Sequence, residues 1–254
     1  MNKQQHPYKR AITHDRYPSK KWKYEDRMQG KGVRMMVTPL TQEDLKRNIG
    51  YLEINDKYII QEVHLNDGIF MGGGLFLFLS LGTLLIAIIK NVLVWDTFGI
   101  IYLSITFSGF LFFVVLYFTQ PKKESIFNRE DGLITIPGFL WSPNVTMRVE
   151  DIQFIRTSHR GSAIMLGMKR PYKIPLPYSV VYGSQGIYDE MLSFYLWYLD
   201  RNRPLPPGSA FDPYREEDYA RRKAEGFPKP IFMGIDTPEA TEAQQKEREE
   251  IGGW

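Results

Sequence analysis

The sequence predicts an α+β membrane protein: a two-helix transmembrane hairpin joined to an antiparallel-sheet domain that a C-terminal helix closes. Three observations carry that prediction. Two uncharged runs, Ile69 to Ile89 and Phe98 to Phe118, each hold 21 residues and are separated only by Lys90 to Thr97. After Pro121 the apolar period turns from helical to strand-like, with turn residues recurring at short intervals. Beyond those strands, Ile187, Met191, Phe194, Tyr195 and Tyr198 recur at helical spacing.

As a helix each run reaches roughly 31 Å, at about 1.5 Å per residue, which matches the hydrocarbon core of a bilayer. Neither contains Asp, Glu, Lys, Arg or His, so neither supplies the ionisable groups that ion pathways and proton relays use. Ser104 with Ser108, and the stretch from Gly74 to Gly82, are expected to give the close contact of a helical hairpin. A channel built from several hairpins is the alternative. The connecting loop carries Lys90, balanced by Asp96, whereas Lys122, Lys123 and Arg129 follow the second run and 13 Lys and Arg precede the first. That asymmetry places both termini in the cytoplasm and the loop with Trp95 on the other side. The opening residues are polar, so the first span is itself the expected insertion signal.

A net charge of +3 over 254 residues is too small to imply nucleic acid as a partner. The chain has no cysteine, which excludes disulfides, thiolate metal sites and thiol catalysis. His6, His14, His64 and His159 are scattered without the spacing of a metal site or a triad. Gly72-Gly73-Gly74 lies inside an apolar run with no Lys-Ser/Thr behind it, so it is no phosphate loop. The expectation is a non-enzymatic protein with no metal and no cofactor.

In chain order, residues 1–37 form a basic arm without apolar periodicity, either loose or laid along another surface. Its cluster Lys20, Lys21, Trp22 and Lys23 suits either anionic lipid or plain solvation. Residues 38–68 hold a short helix capped by Thr41 and ending near Gly50, then a pre-membrane strand or hairpin from Tyr51 to Leu65 around Asn55-Asp56. That strand is expected to join the sheet formed after the spans. The cytoplasmic strand-rich domain covers residues 120–203. Ser125 to Arg129, the turn Glu130-Asp131-Gly132 and Leu133 to Pro137 predict a hairpin in which Gly132 takes a positive φ. Further strands are expected at Val145 to Val149, Ile152 to Thr157, Ala163 to Lys169 and Tyr172 to Pro175. The closing helix spans Ile187 to Arg201, with Ser184 as its cap and Asp189 and Glu190 in the first turn. Residues 204–254 read as a proline-punctuated tail: extended through Pro207, a charged helix from Pro213 to Glu225, and a polar helix or mobile run from Pro238 to Glu250.

Candidate partner or lipid contacts are the basic loop residues Arg156, His159 and Arg160 and the aromatic residues Trp197, Tyr214, Tyr219 and Phe227. The cations can meet phosphate or an acidic partner, or line an ordinary solvated turn. Lys169, Arg170 and Lys173 fall at the other end of the predicted hairpin. Trp197 faces either the sheet core or a partner.

A run of antiparallel strands closed by one amphipathic helix, Ser125 to Arg203, resembles the pleckstrin-homology-like fold in element order. The hairpin, the strand-rich segment after it and the tail Arg201-Asn202-Arg203-Pro204-Leu205-Pro206-Pro207-Gly208 together resemble a family of two-span Gram-negative inner-membrane proteins found near type VI secretion effector genes. That resemblance implies a multi-pass location in the bacterial inner membrane. It also implies a protein partner, an effector or a secretion component, met in an immunity or accessory role. It carries no catalytic residues. The phospholipid bilayer is the second expected partner and a homo-oligomer a further one. The alternative function is an oligomer that forms a pore or modulates a transporter.

Overall fold

The computed structural model describes residues 8–17, 38–43, 51–61, 63, 65–89, 97–159, 163–172, 177–179, 188–231 and 237–254. Contacts divide the chain into two units: residues 63–123 with 138–143, and the remainder.

The first unit is a helical hairpin, α1 (Leu65–Ile89) and α2 (Thr97–Thr119). Residues 68–89 and 97–119 are long and apolar enough to cross a membrane. The helices meet where two phenylalanine rings lie over bare glycine backbone. A Cβ on Gly72 would stand 2.6 Å from the Phe113 ring, and one on Gly109 would stand 2.5 Å from Phe76. The expected contacts are displaced from this seam: Gly74 and Gly82 meet nothing within 4 Å, while the Ser104 hydroxyl donates to Ile100 O of its own helix at 2.8 Å. Spacing finds small residues but does not say which of them a ring on the other helix will cover.

The second unit holds eight strands among the described residues. A five-stranded antiparallel sheet runs in the order β1 (Tyr51–Ile54), β2 (Tyr58–Gln61), β3 (Ser125–Asn128), β4 (Leu133–Ile136) and β5 (Val145–Arg148). Asn55 Oδ1 accepts from the amides of Lys57 (2.8 Å) and Tyr58 (2.9 Å), which fixes the β1–β2 turn. Gly132 closes the β3–β4 turn at φ 63°. The pre-membrane strand does join the later sheet: β2 pairs with β3 from Tyr58↔Asn128 to Gln61↔Ser125. The chain therefore leaves the sheet at Gln61 and returns at Ser125 directly opposite, with the whole helical hairpin inserted between two neighbouring strands.

A three-stranded antiparallel sheet follows, of β6 (Phe154–His159), β7 (Ala163–Lys169) and β8 (Pro177–Ser179). Its third strand starts later than the expected Tyr172, because Tyr172 N donates to Arg170 O at 2.8 Å and so closes a turn after β7. Helix α3 (Tyr188–Leu199) supplies the core: every side chain from Met191 to Leu199 is buried. Phe127 of β3 stacks on Tyr195 at 4.5 Å, and Phe194 lies 6.4 Å from Phe211 of the tail. Gln61 Nε2 donates to the Tyr195 hydroxyl at 2.6 Å, and the Tyr198 hydroxyl donates to Asn55 O at 2.9 Å, so helix and pre-membrane hairpin share one polar register. The expected cap Ser184, the helix from Thr41 to Gly50 beyond residue 43, and Lys20 to Lys23 lie outside the described residues.

The arm and the tail are both laid along this unit. Thr13 N donates to Thr146 O at 2.9 Å, and the Thr13 hydroxyl accepts from Thr146 N at 2.9 Å, which covers the open edge of β5. Leu40 exchanges backbone bonds with Pro207 and Ala210 at 3.1 Å each. Only glycine fits at Gly208, where φ is 120° and a Cβ would stand 2.1 Å from Leu40 O. The tail continues through a 3-10 turn (Asp212–Tyr214), α4 (Arg215–Ala224) and α5 (Glu242–Gly252). Of the two readings of the run from Pro238 to Glu250, the structure has the polar helix, capped by Thr241 and ended by left-handed Gly253.

Candidate interaction surface

The predicted contact residues divide. Arg156 and His159 sit on β6 opposite Leu166 and Ala163; their side chains, and Arg160 entirely, lie outside the described residues. Trp197 is a core residue, 7% exposed, with its indole N–H donating to Pro204 O at 2.7 Å. Phe227 is 1% exposed beneath Tyr219, ring to ring 5.5 Å. Both are corrected from contact surface to interior, because the tail folds back over them. Tyr214 is half-buried against the core, and the Tyr219 hydroxyl donates to Glu247 of α5. The second basic cluster is structural as well: Lys169 Nζ donates to Gln153 Oε1 at 3.0 Å, and Arg170 Nε donates to Pro137 O at 2.7 Å.

What sequence reasoning missed is a buried ionic network that locks the tail in place. Arg129, Arg203, Arg222 and Arg248 are each at most 5% exposed. Asp218 receives Arg129 at 3.2 Å and Arg222 at 2.9 Å; Glu239 receives Arg222 through both oxygens, at 2.6 and 2.8 Å, and Arg248 at 3.3 Å. Arg203 pairs with Asp200 at 3.0 Å. With the half-buried Arg221, which also meets Asp218 at 2.9 Å, five cations face three carboxylates. The surplus is met by carbonyls at the end of α3, since Arg129 donates to Tyr198 O and, at 2.9 Å, to Asp200 O. Arg248 also stacks 4.2 Å over the Trp254 ring. Burial pushes the Asp218 carboxyl up, but the attraction of Arg129 and Arg222 outweighs it and holds the group below its ordinary value. Charged residues in a polar segment read as solvated surface, and the sequence signal was the spacing of Arg203 three residues after Asp200 and Arg222 four after Asp218.

Among the described residues of the sheet unit lies an open cleft of about 520 Å³. The arm (Lys9 to Ile12), the β3–β4 turn (Glu130 to Gly132), the end of β5 (Arg148 to Glu150), Arg201 and Ile231 line it. Ile12, Leu133, Val149 and Ile231 give it an apolar floor. Lys9 pairs with Asp131 at 2.9 Å and Arg201 with Glu225 at 2.6 Å. Arg148 and Glu150, both exposed, have no ion pair among the described residues. Two opposite charges beside an apolar floor suit a peptide segment carrying both signs. No group of three His, Asp or Glu is placed to hold a metal ion among the described residues. Comparison with family models, with curated proteins and with solved structures finds no match.

Proposed function

We propose that this chain is a non-enzymatic, membrane-anchored binding protein whose sheet unit, held in the cytoplasm of a Gram-negative cell at the inner membrane, recognises a protein partner. The observation that supports it is the insertion of an uncharged helical hairpin between β2 and β3, opposite each other from Tyr58↔Asn128 to Gln61↔Ser125. One polypeptide is anchor and module together, and both crossings of a bilayer begin and end on the same face. Eight strands in two sheets followed by α3 support a pleckstrin-homology-like reading of the module. The resemblance to two-span proteins found near type VI secretion effector genes makes an effector bound by an immunity protein the most specific version.

The test is affinity purification of the full chain from mildly solubilised membranes. A second chain reverses the two unpaired cleft charges, Arg148→Glu with Glu150→Lys. A partner held in fixed ratio by the first and lost by the second supports the proposal. If neither chain retains a protein while the reconstituted chain conducts ions, the oligomeric pore replaces it.

A further inference from the structure

The loop between β4 and β5 belongs to the helical unit, not to the sheet it interrupts. It displays Phe139 and Trp141 at 44% and 42% exposure, in a chain that buries Trp197. The loop is nevertheless tightly built. At its base a Cβ on Gly138 would stand 2.0 Å from Pro143 O, so the two arms pass with no space for a side chain. Ser142 N donates to Phe139 O at 2.8 Å, and Leu140 takes φ 45°, a conformation that leucine rarely adopts. Lys123 Nζ donates to Ser142 O at 2.7 Å.

Trp141 has two faces of different character. Its ring stands edge-on to Phe112 at 5.5 Å, alongside the apolar run of α2, while its N–H donates to the Thr119 hydroxyl at 2.7 Å, at the last residue of that helix. Thr119 is about 33 Å along the helix axis from Thr97, at 1.5 Å per residue, so it stands where a spanning helix would leave the hydrocarbon. An indole with its ring against the apolar side and its N–H at the rim has the arrangement that concentrates tryptophan at membrane interfaces. The exposed Phe118, at 77%, continues the apolar surface to the same level.

We propose that Phe139, Leu140 and Trp141 seat in the headgroup–acyl boundary of the leaflet where α2 ends, as a second membrane attachment supplied by the sheet's own loop. The occupant is lipid, because the loop continues an apolar helix surface that only lipid would cover. The inference rests on the hairpin spanning a bilayer, and the test separates the two.

The chain has no native cysteine, so single cysteines at Phe139, Phe78 and Asp212 can each carry a nitroxide in full-length protein reconstituted into phosphatidylcholine–phosphatidylglycerol vesicles. Accessibility to oxygen and to a water-soluble nickel complex gives the depth of each label. The expected result is a Phe139 label severalfold less accessible to nickel than the Asp212 label, at a depth shallower than Phe78. A water-exposed Phe139 label with a lipid-buried Phe78 label overturns this proposal alone. If both are water-exposed, the membrane reading falls with it. Spin–spin broadening at Phe139 that grows with protein density assigns the loop to a second copy and overturns the lipid assignment. Dibromo-lipid quenching of tryptophan emission in unlabelled protein, compared with Trp141→Phe, repeats the test without modifying Phe139. Shallow-depth quenching lost in that variant is expected, and identical quenching in both chains counts against the loop.

Discussion

The helical unit and the sheet unit handle polar groups in opposite ways. In the hairpin the hydroxyls are satisfied by their own helix: Ser80 donates to Phe76 O and Thr83 to Leu79 O, each at 2.8 Å, and Thr119 donates to Val115 O at 2.6 Å. Charge is absent from both runs, while large apolar side chains such as Phe78, at 74%, face outward. The sheet unit turns aromatics such as Phe127, Phe194 and Phe211 inward and buries Arg129, Arg203, Arg222 and Arg248 with Asp200, Asp218 and Glu239. Each arrangement has its own physical logic: helices long and apolar enough to cross a membrane satisfy these hydroxyls internally, as hydrocarbon would require, whereas a buried ion in the sheet unit is stable only with its counter-ion fixed beside it.

Breaking the ionic side of that contrast has the largest expected effect. Asp218→Ala leaves Arg129 and Arg222 without a shared carboxylate and should destabilise the tail by about 3–5 kcal/mol, read as lost hydrogen-exchange protection across α4 and α5. The same carboxyl predicts a pH dependence. Its native pKa is depressed, so its contribution is complete above its unfolded value of about 4 and is lost as pH falls through the native value. Protection of α5 should stay flat from neutral pH to about pH 5 and drop in more acid solution.

Phe78→Arg tests the other side. On a water-facing helix this exchange would be nearly neutral, within about 0.5 kcal/mol; near the centre of a membrane span it should cost about 3 kcal/mol. A membrane-insertion assay on the isolated first span decides between them. Gly109→Leu drives a side chain into Phe76 and should cost about 1–3 kcal/mol of helix pairing, seen as weaker association of the two spans. The smallest effect belongs to Thr241→Ala. It removes the cap that accepts from Gln244 N and should weaken α5 by about 1 kcal/mol, measurable by exchange at its first turn.

The apolar runs, the Gly132 turn and the pre-membrane strand were legible because each shows a local pattern: an uncharged run, a turn residue, a partial alternation; that the strand joins the later sheet was expected too, but not that its neighbour is β3. In the tail the charged helix was legible, Arg215–Ala224 falling inside the expected Pro213 to Glu225, but the choice between helix and mobile run beyond it was not, because α5 carries almost no apolar residue. It is held by Arg248 against Glu239 and by the Trp254 ring, partners that a list of charges does not reveal. Trp197 and Phe227 misled for a related reason: an aromatic residue in a polar context reads as exposed until the segment that covers it is known. The Phe139–Trp141 loop gave no signal at all, since nothing local distinguishes an aromatic loop that faces lipid from one that is buried.

The position of the hairpin between neighbouring strands also sets the order of biogenesis. β2 emerges from the ribosome more than 60 residues before the strand it must pair with, so the sheet cannot close until both helices of the hairpin have been made. A chain that inserted only one span would strand β2 and β3 on opposite sides of the bilayer, with Ile59 and Phe127 unable to meet. On the proposed membrane reading, completion of the sheet requires both helices to thread, and a misthreaded chain would keep its hydrophobic strands open to the proteases and chaperones that survey unfinished proteins.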